Sequence, residues 1–407
     1  MRKSEPIVGL DIGTTAVKVV IAEKQPDDKI NILGVGSSPS HGLRKGVVIN
    51  IEATVKSIGK AIGQAETMAG IEVNSAFASI SGSHIKGFNS HGIVAIRNRE
   101  VSNYDIEKVI EAAKAVAIPL DREVLHVLPQ EYIIDEQDGI KEPLGMSGVR
   151  LESRVHLVTG AVASAQNVVK CANRCGLNVN DIVFSPLAAS HVVLSPEEEE
   201  LGVCLIDIGG GTMDVAVYYK GAVKFTTVIP VGGAQISADI AAGLRTPVAA
   251  AEEIKCKHGT AKTSEVENDE TVEVPSTGGR PPRVLSKSVL AEIIEPRIEE
   301  MFTLVKRELV KADCDELLVS GVVLTGGSAS LGNLEQVAEE VFGVPVRVGG
   351  ASGVSGLTDL VRVPEYGTAV GLVVHGAREA DSYGRFAARS RIGRAFKKVA
   401  NWFSEHF

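Results

Sequence analysis

No run of about 18 uncharged apolar residues occurs in the 407-residue chain, so no segment reads as a membrane-spanning helix. Cysteine is scarce. Cys171, Cys175, Cys204, Cys256 and Cys314 are odd in number, scattered, and include no Cys-x-x-Cys pair. Such thiols read as buried side chains in a reducing compartment rather than a disulfide framework. Residues 1–20 lack a signal-peptide pattern, because their apolar run opens a strand and carries Asp11. The expectation is a cytoplasmic protein. A formal charge of −9 argues against general nucleic-acid binding, and no nucleic-acid partner is expected. His84, His91, His126 and His156 lack metal-ligand spacing and read as surface or core residues. What is present is globular: 44% apolar and 23% charged residues, with length for two to four domains.

The central stretch is 203–218. Val203–Ile208 reads as a buried strand, Gly209, Gly210 and Gly211 as a tight turn, and Thr212–Tyr218 as a return strand. A Gly-rich turn presents several backbone N–H groups to one point and admits a phosphate closely. Asp207 closes the first strand and Asp214 opens the second; carboxylates there suit Mg²⁺ held through its waters. An ordinary glycine hairpin is the alternative. The pattern recurs at 7–22, where Asp11-Ile12-Gly13 aligns with Asp207-Ile208-Gly209 and Thr14, Thr15 and Lys18 follow. A third strand ends in Gly326-Gly327-Ser328, at a helix start that suits a phosphate or ribose oxygen. Two such hairpins imply two similar half-domains facing one cleft.

On these motifs the chain resembles the actin, Hsp70 and sugar-kinase superfamily. The resemblance implies an α/β, actin/Hsp70-like two-lobed fold with duplicated half-domains, and ATP with Mg²⁺ held by Asp11, Asp207 and Asp214. It also implies that Glu252 and Lys255, in Ala251-Glu-Glu-Ile-Lys255, contact the adenosine; a solvated helical ion pair is the alternative. Superfamily members that hydrolyse ATP well commonly carry Glu or Gln where this chain has Ser185, a short side chain and a poor base. Of possible catalytic groups, Asp207 and Ser185 remain, and hydrolysis is expected to be slow.

The first lobe is expected over 1–83 and 161–198 with a return helix at 366–376. The second lobe core is expected over 199–245 and 309–365, with a subdomain at 246–308. Residues 84–160 read as a small α+β insertion, either an interaction module or one more part of the lobe. Helices are expected at Ile51–Gly70, from a Ser102 cap to Ala117, at Ala163–Cys175 with Ser164 as cap, at Ile182–Leu194, and at Ser286–Val310. Ser195–Glu200 reads as an acidic surface turn. Arg280, Arg283 and Arg297 give the second lobe local positive charge; a solvated face is the default and a groove for an acidic peptide the sharper alternative.

Residues 377–388 read as a linker. In 389–407, Ile392, Phe396, Val399, Phe403 and Phe407 share helical spacing, with Trp402, the only tryptophan, beside them. Arg389, Arg391, Arg394, Lys397 and Lys398 occupy much of the rest. This C-terminal amphipathic helix suits the interface of an anionic membrane. A helix docked on the protein's own core and a partner-helix target are the alternatives.

Hairpins, insertion and tail together resemble the FtsA family of bacterial cell-division proteins. That resemblance implies a peripheral protein at the cytoplasmic face of the inner membrane, at the division site, which polymerises with itself. It implies binding of the FtsZ C-terminal tail on about 246–308 and of later division proteins such as FtsN on the insertion. A small-molecule kinase of the sugar or acetate type is the alternative, though no substrate base is evident.

Overall fold

The computed structural model describes residues 5–389 except 268, 277 and 279, with side chains through 380. The expected membrane residues Ile392, Phe396, Lys397, Lys398, Val399, Trp402, Phe403 and Phe407 lie outside the described residues.

The chain opens with β1 (Ile7–Ile12), β2 (Ala16–Lys24) and β3 (Ile30–Pro39), then a small hairpin of β4 (Leu43–Arg44) and β5 (Val47–Val48). Helix α1 (Ile51–Ala69) follows, capped by the Asn50 side chain and stopped by Gly70 in the left-handed region. Its Ile58, Ile62 and Ala65 are buried, as 3.6-residue spacing requires. After β6 (Ser75–Ile80) comes the insertion: β7 (Lys86–Ala95), α2 (Asn103–Lys114), β8 (Arg122–Ile134), β9 (Gln137–Ile140) and β10 (Arg150–Ala161). The Ser102–Asp105 capping box that starts α2 is formed in both directions.

The chain then returns through α3 (Val162–Asn173), β11 (Asn178–Phe184), α4 (Ser185–Val193) and α5 (Pro196–Leu201). The second lobe holds β12 (Val203–Ile208), β13 (Met213–Tyr219), β14 (Ala222–Ile229), α6 (Gly233–Leu244) and α7 (Val248–His258). It continues with β15 (Thr271–Val274), β16 (Arg283–Ser286), α8 (Lys287–Lys311), β17 (Val322–Thr325), α9 (Leu334–Phe342) and β18 (Val346–Val348). β19 (Val354–Gly356), α10 (Thr358–Val361) and α11 (Gly367–Arg389) close the order.

The duplication is visible in strand order. One sheet runs β11-β6-β1-β2-β3-β19 and the other β18-β17-β12-β13-β14, so β1, β2, β3, β6 and β11 match β12, β13, β14, β17 and β18. In both, the first three strands pair antiparallel and the later two add in parallel. α4 and α11 lie between the sheets. One apolar cluster joins Val20 and Ile80 of the first sheet, Leu205 and Val323 of the second, and Ala188 and Val370 of these helices. Their crossing is close: a Cβ on Gly371 would lie 1.9 Å from the Ala188 carbonyl oxygen.

The insertion forms its own antiparallel sheet, β7-β10-β8-β9, with α2 against it. It leaves the first lobe yet bonds to β14, the edge of the second sheet. Gln130 donates to the Val223 carbonyl at 2.7 Å, and Asn89 to that of Lys224 at 3.3 Å. His156 sits between Asn89 Oδ1 at 2.7 Å and Thr226 Oγ1 at 2.8 Å. Burial lowers its pKa to about 4. It is therefore neutral, with Nδ1–H donating to Asn89 and Nε2 accepting from Thr226.

Several expectations require correction. Ile182–Phe184 ends strand β11, and α4 starts at Ser185 with Pro186 in its first turn, where a missing N–H costs nothing. α3 begins at Val162 with no side-chain cap, so Ser164 does not cap it. Residues 196–201 are a helical turn capped by Ser195 and Glu198. The expected linker 377–388 is instead the continuation of α11. That stretch has no apolar stripe, but its Ala, Arg and Glu residues have high helix propensity.

Two helical glycines test this packing. Gly371→Ala gains helix propensity of about 1 kcal/mol but meets backbone, and should lose roughly 1–3 kcal/mol net through overpacking. Gly59, with nothing within 4 Å of its added Cβ, should gain about 0.5–1 kcal/mol as Gly59→Ala. Urea midpoints of both variants check the opposite signs.

Candidate functional site

The two strand pairs β1–β2 and β12–β13 turn in the same way. Gly13 N–H donates to the Ala16 carbonyl at 3.1 Å, and Gly209 N–H to that of Thr212 at 2.9 Å. The turns meet across the cleft between the lobes. A Cβ on Gly210 would lie 1.8 Å from Thr15 Oγ1, and one on Gly211 would lie 2.7 Å from Thr14 Oγ1. Glycine is required at both positions by this approach, not by backbone angle. The third loop closes the floor: Gly326 has φ of 86°, and a Cβ there would lie 2.2 Å from Asp207 Oδ1. Ser328 Oγ donates to the Gly209 carbonyl at 3.3 Å.

Together these loops line a cavity of about 230 Å³. Asp11, Gly13, Thr14, Thr15, Lys18, Ser185, Asp207, Gly209, Gly210 and Thr212 face it, as do Asp214, Glu252, Lys255, Gly326, Gly327 and Ser328. Gly211 is not in the wall; it packs behind, against Thr14 and Lys45.

Each carboxylate is held by a hydroxyl. Ser79 Oγ donates to Asp11 Oδ1 at 2.7 Å, Thr368 Oγ1 to Asp207 Oδ2 at 2.8 Å, and Ser81 Oγ to both Asp214 oxygens at 2.7 Å. Thr212 Oγ1 also donates to Asp214, at 3.1 Å. Burial raises the Asp11 pKa, with the charge of Lys18 and the Ser79 bond opposing. Burial and then the charge of Asp11 push Asp207 up to about 6. Burial and then the charge of Asp207 push Asp214 up to about 8. Three like-charged groups withdrawn from water leave a strong demand for positive charge.

That demand, with hard oxygen donors, fits Mg²⁺. Among the described residues no three His, Cys, Asp or Glu side chains converge as a direct metal-ligand cluster. The donors suit an ion that keeps most of its waters and uses few protein ligands. The cavity's lysines are already engaged. Lys18 Nζ lies 3.4 Å from Glu365 and 5.5 Å from the Tyr366 ring centroid. Lys255 Nζ bonds the Gly233 carbonyl at 3.1 Å, Ser237 at 3.0 Å and Glu252 at 2.8 Å. Ser237 also bonds Glu252, so Lys255 is buried in a network whose acidic partner, Glu252, stays partly exposed.

Ser185 donates its hydroxyl to the Ile80 carbonyl at 3.2 Å, which leaves that O–H committed to backbone. Sequence reasoning missed Ser81, Glu365, Thr368 and Cys256, which all face the cavity. Ser81 was within reach: it follows β6, the counterpart of β17, whose end was singled out as Gly326–Ser328. Thr368, at the start of α11, carried no local signal. Elsewhere, Arg283 donates to the Leu244 carbonyl and Arg297 is clamped by Asp239 and Glu300. Arg280 and Arg283 are both exposed, and of the three Arg280 has no bonded partner among the described residues. No helix among the described residues is long and apolar enough to cross a membrane.

Two family models match the chain. Residues 204–371 match that of cell division protein FtsA, and residues 82–159 match that of the SHS2 domain inserted in FtsA. The chain is 52% identical over 379 residues to the cell division protein FtsA of Pseudomonas aeruginosa, covering 93% of this chain and 91% of that one. Among solved structures, a PilM–PilN type IV pilus biogenesis complex matches with a TM-score of 0.67 at 17% identity, covering 91% of this chain and 98% of that one. MreB5 of Spiroplasma citri bound to ADP matches with a TM-score of 0.53 at 15% identity, covering 90% and 94%. These neighbours share the actin-like fold.

The carboxylate shifts set a pH dependence. Asp207 and Asp214 hold protons in the folded state at pH values where the unfolded chain, with carboxyls near 3.8, has lost them. Their contribution is therefore lost as pH rises from about 4 to about 8. In Mg²⁺-free, nucleotide-free protein, thermal midpoints should fall across that window, and Asp214→Asn should flatten the fall. Identical slopes in both proteins would show that these carboxylates are not buried as described.

Proposed function

The chain belongs to the FtsA family of cell-division proteins, and from that membership we propose that it is a nucleotide-gated scaffold for division. In this reading ATP binds between the lobes, closure favours self-association, and arrays of the C-terminal segment hold the assembly on the inner membrane. The observation that carries it is the meeting of Asp11 and Asp207, equivalent corners of two duplicated sheets, at one glycine-walled cavity. A nucleotide seated there touches both lobes at once, so its binding energy bears directly on how they sit.

Gly210 and, in the first turn, Thr14 and Thr15 would offer backbone N–H groups to the phosphates, with Gly209 shaping the turn through its own bond to Thr212, and Gly326–Ser328 would line the floor. Glu252 and Lys255 would orient the nucleoside. Mg²⁺, held through water by Asp11, Asp207 and Asp214, would neutralise phosphate charge. The MreB5 neighbour is bound to ADP, which supports a nucleotide in this cleft. Hydrolysis is slow in this account, because Ser185 gives its hydroxyl to a backbone carbonyl and is no general base.

The remaining roles rest on family membership. The lobe of about 246–308 would receive the acidic FtsZ tail, with Arg280 free to meet it. The insertion would contact neighbouring subunits or later division proteins such as FtsN. Residues 389–407 would lie in the membrane interface, apolar face down, each copy weakly and the filament strongly.

Liposome co-sedimentation tests the scheme. Full-length protein should pellet with anionic vesicles, more so with ATP, and a version ending at Ser390 should stay in the supernatant. Equal pelleting of both versions would overturn the membrane assignment, and indifference to ATP would overturn the gating.

A further inference from the structure

β4 and β5 are joined by a two-residue turn, Lys45–Gly46, with φ of 49° and 76°. Positive φ at both residues is the type I′ hairpin, for which Asn-Gly is the usual choice. Lysine in this region is uncommon and draws attention to what its side chain is for.

The tip of this hairpin rests on the segments that face the cavity. Gly46 N–H donates to Thr14 Oγ1 at 3.0 Å. A Cβ on Gly46 would lie 2.9 Å from the Gly82 nitrogen, beside Ser81. From the opposite lobe, a Cβ on Gly211 would lie 2.9 Å from the Lys45 Cα. The turn thus touches the first phosphate loop, the end of β6, and the second phosphate loop across the cleft. Gly46 itself is part of the cavity wall.

Charge makes the position informative. Asp11, Asp207, Asp214, Glu252 and Glu365 face the cavity against Lys18 and Lys255, and both lysines are committed to acidic and carbonyl partners. A triphosphate would add more negative charge. Lys45 is exposed, and its ammonium has no ion pair or hydrogen bond among the described residues. It is a point charge on a four-carbon stem, able to swing to a phosphate.

We propose that Lys45 is a further nucleotide-contacting residue, whose ammonium closes over the outer phosphates of a nucleoside triphosphate in the cleft. The hairpin tip then acts as a latch, because its cation comes from the first lobe while it packs on Gly211 of the second. This inference rests on the nucleotide reading of the cleft given above.

The test titrates full-length wild type, Lys45→Asn and Lys45→Arg with a non-hydrolysable ATP analogue and with ADP, in Mg²⁺, by calorimetry. Asparagine tolerates the left-handed backbone, so the turn is kept while the charge is lost. Lys45→Asn should bind the triphosphate about tenfold more weakly or worse, the scale of one lost charge-assisted bond. Its loss for ADP should be smaller, and Lys45→Arg should restore the preference. An unchanged ratio of triphosphate to diphosphate affinity in Lys45→Asn overturns the role of Lys45 while leaving the cleft a nucleotide site. A wild type that binds neither ligand overturns the nucleotide reading instead. Thermal midpoints without nucleotide monitor folding; if Asn lowers them, Lys45→Gln carries the same comparison.

Discussion

Asp11, half-buried, and Asp207 and Asp214, buried, stand at the point where two sheets approach each other, with the charge of Lys18 opposing that of Asp11 and Asp207. Like charges withdrawn from water raise one another's proton affinity, and Asp207 and Asp214 are displaced to about 6 and about 8. Such an arrangement is unfavourable for a bare folded chain at neutral pH. It becomes favourable when a cation and a polyanion arrive together. Each carboxylate is fixed by a hydroxyl from outside its own strand: Ser79 and Ser81 from the end of β6, Thr368 from the start of α11. The acids are therefore held in place rather than left to relax away from one another.

The rest of the fold distributes what happens at that point. α11 begins at the Thr368–Asp207 bond and runs unbroken to Arg389, about 35 Å at 1.5 Å per residue. It crosses α4 at backbone contact through Gly371. A single helix thus runs from the cavity to Arg389, through residues where a linker was expected. On another side the insertion is tied to β14 by Gln130, Asn89 and His156. Rotation of the second lobe would have to break or carry those bonds. The insertion is consequently coupled by hydrogen bonds, and α11 by packing through Gly371, to the elements that hold the acids.

Much of this could be read from residue order because it depends on local patterns. The two Asp-Ile-Gly turns carry their own strands on either side, α1 announces its end with Gly70, and α2 announces its start with Ser102 and Asp105. Where local pattern and long-range pairing compete, the reading failed. Ile182–Phe184 looks like the first turn of an apolar helix, yet it completes the sheet beside β6, and Pro186 starts the helix instead of breaking one. Ser81 and Thr368 are ordinary residues locally and gain meaning only when folding brings them to Asp214 and Asp207. The hairpin at 43–48 is short, and its contact with Gly211 lies in the other lobe. The arginines illustrate the converse: three cations looked alike in sequence, and Arg297 proves to be spent on Asp239 and Glu300.

The account stands on one site shared by both lobes. A structure of the full chain with Mg²⁺ and a non-hydrolysable ATP analogue tests it most directly. The account predicts the phosphates between the turns at Gly13–Ala16 and Gly209–Thr212, with the metal's waters on Asp11 and Asp207 and the nucleoside beside Glu252 and Lys255. An analogue bound to one lobe alone, or anywhere away from these carboxylates, would contradict it.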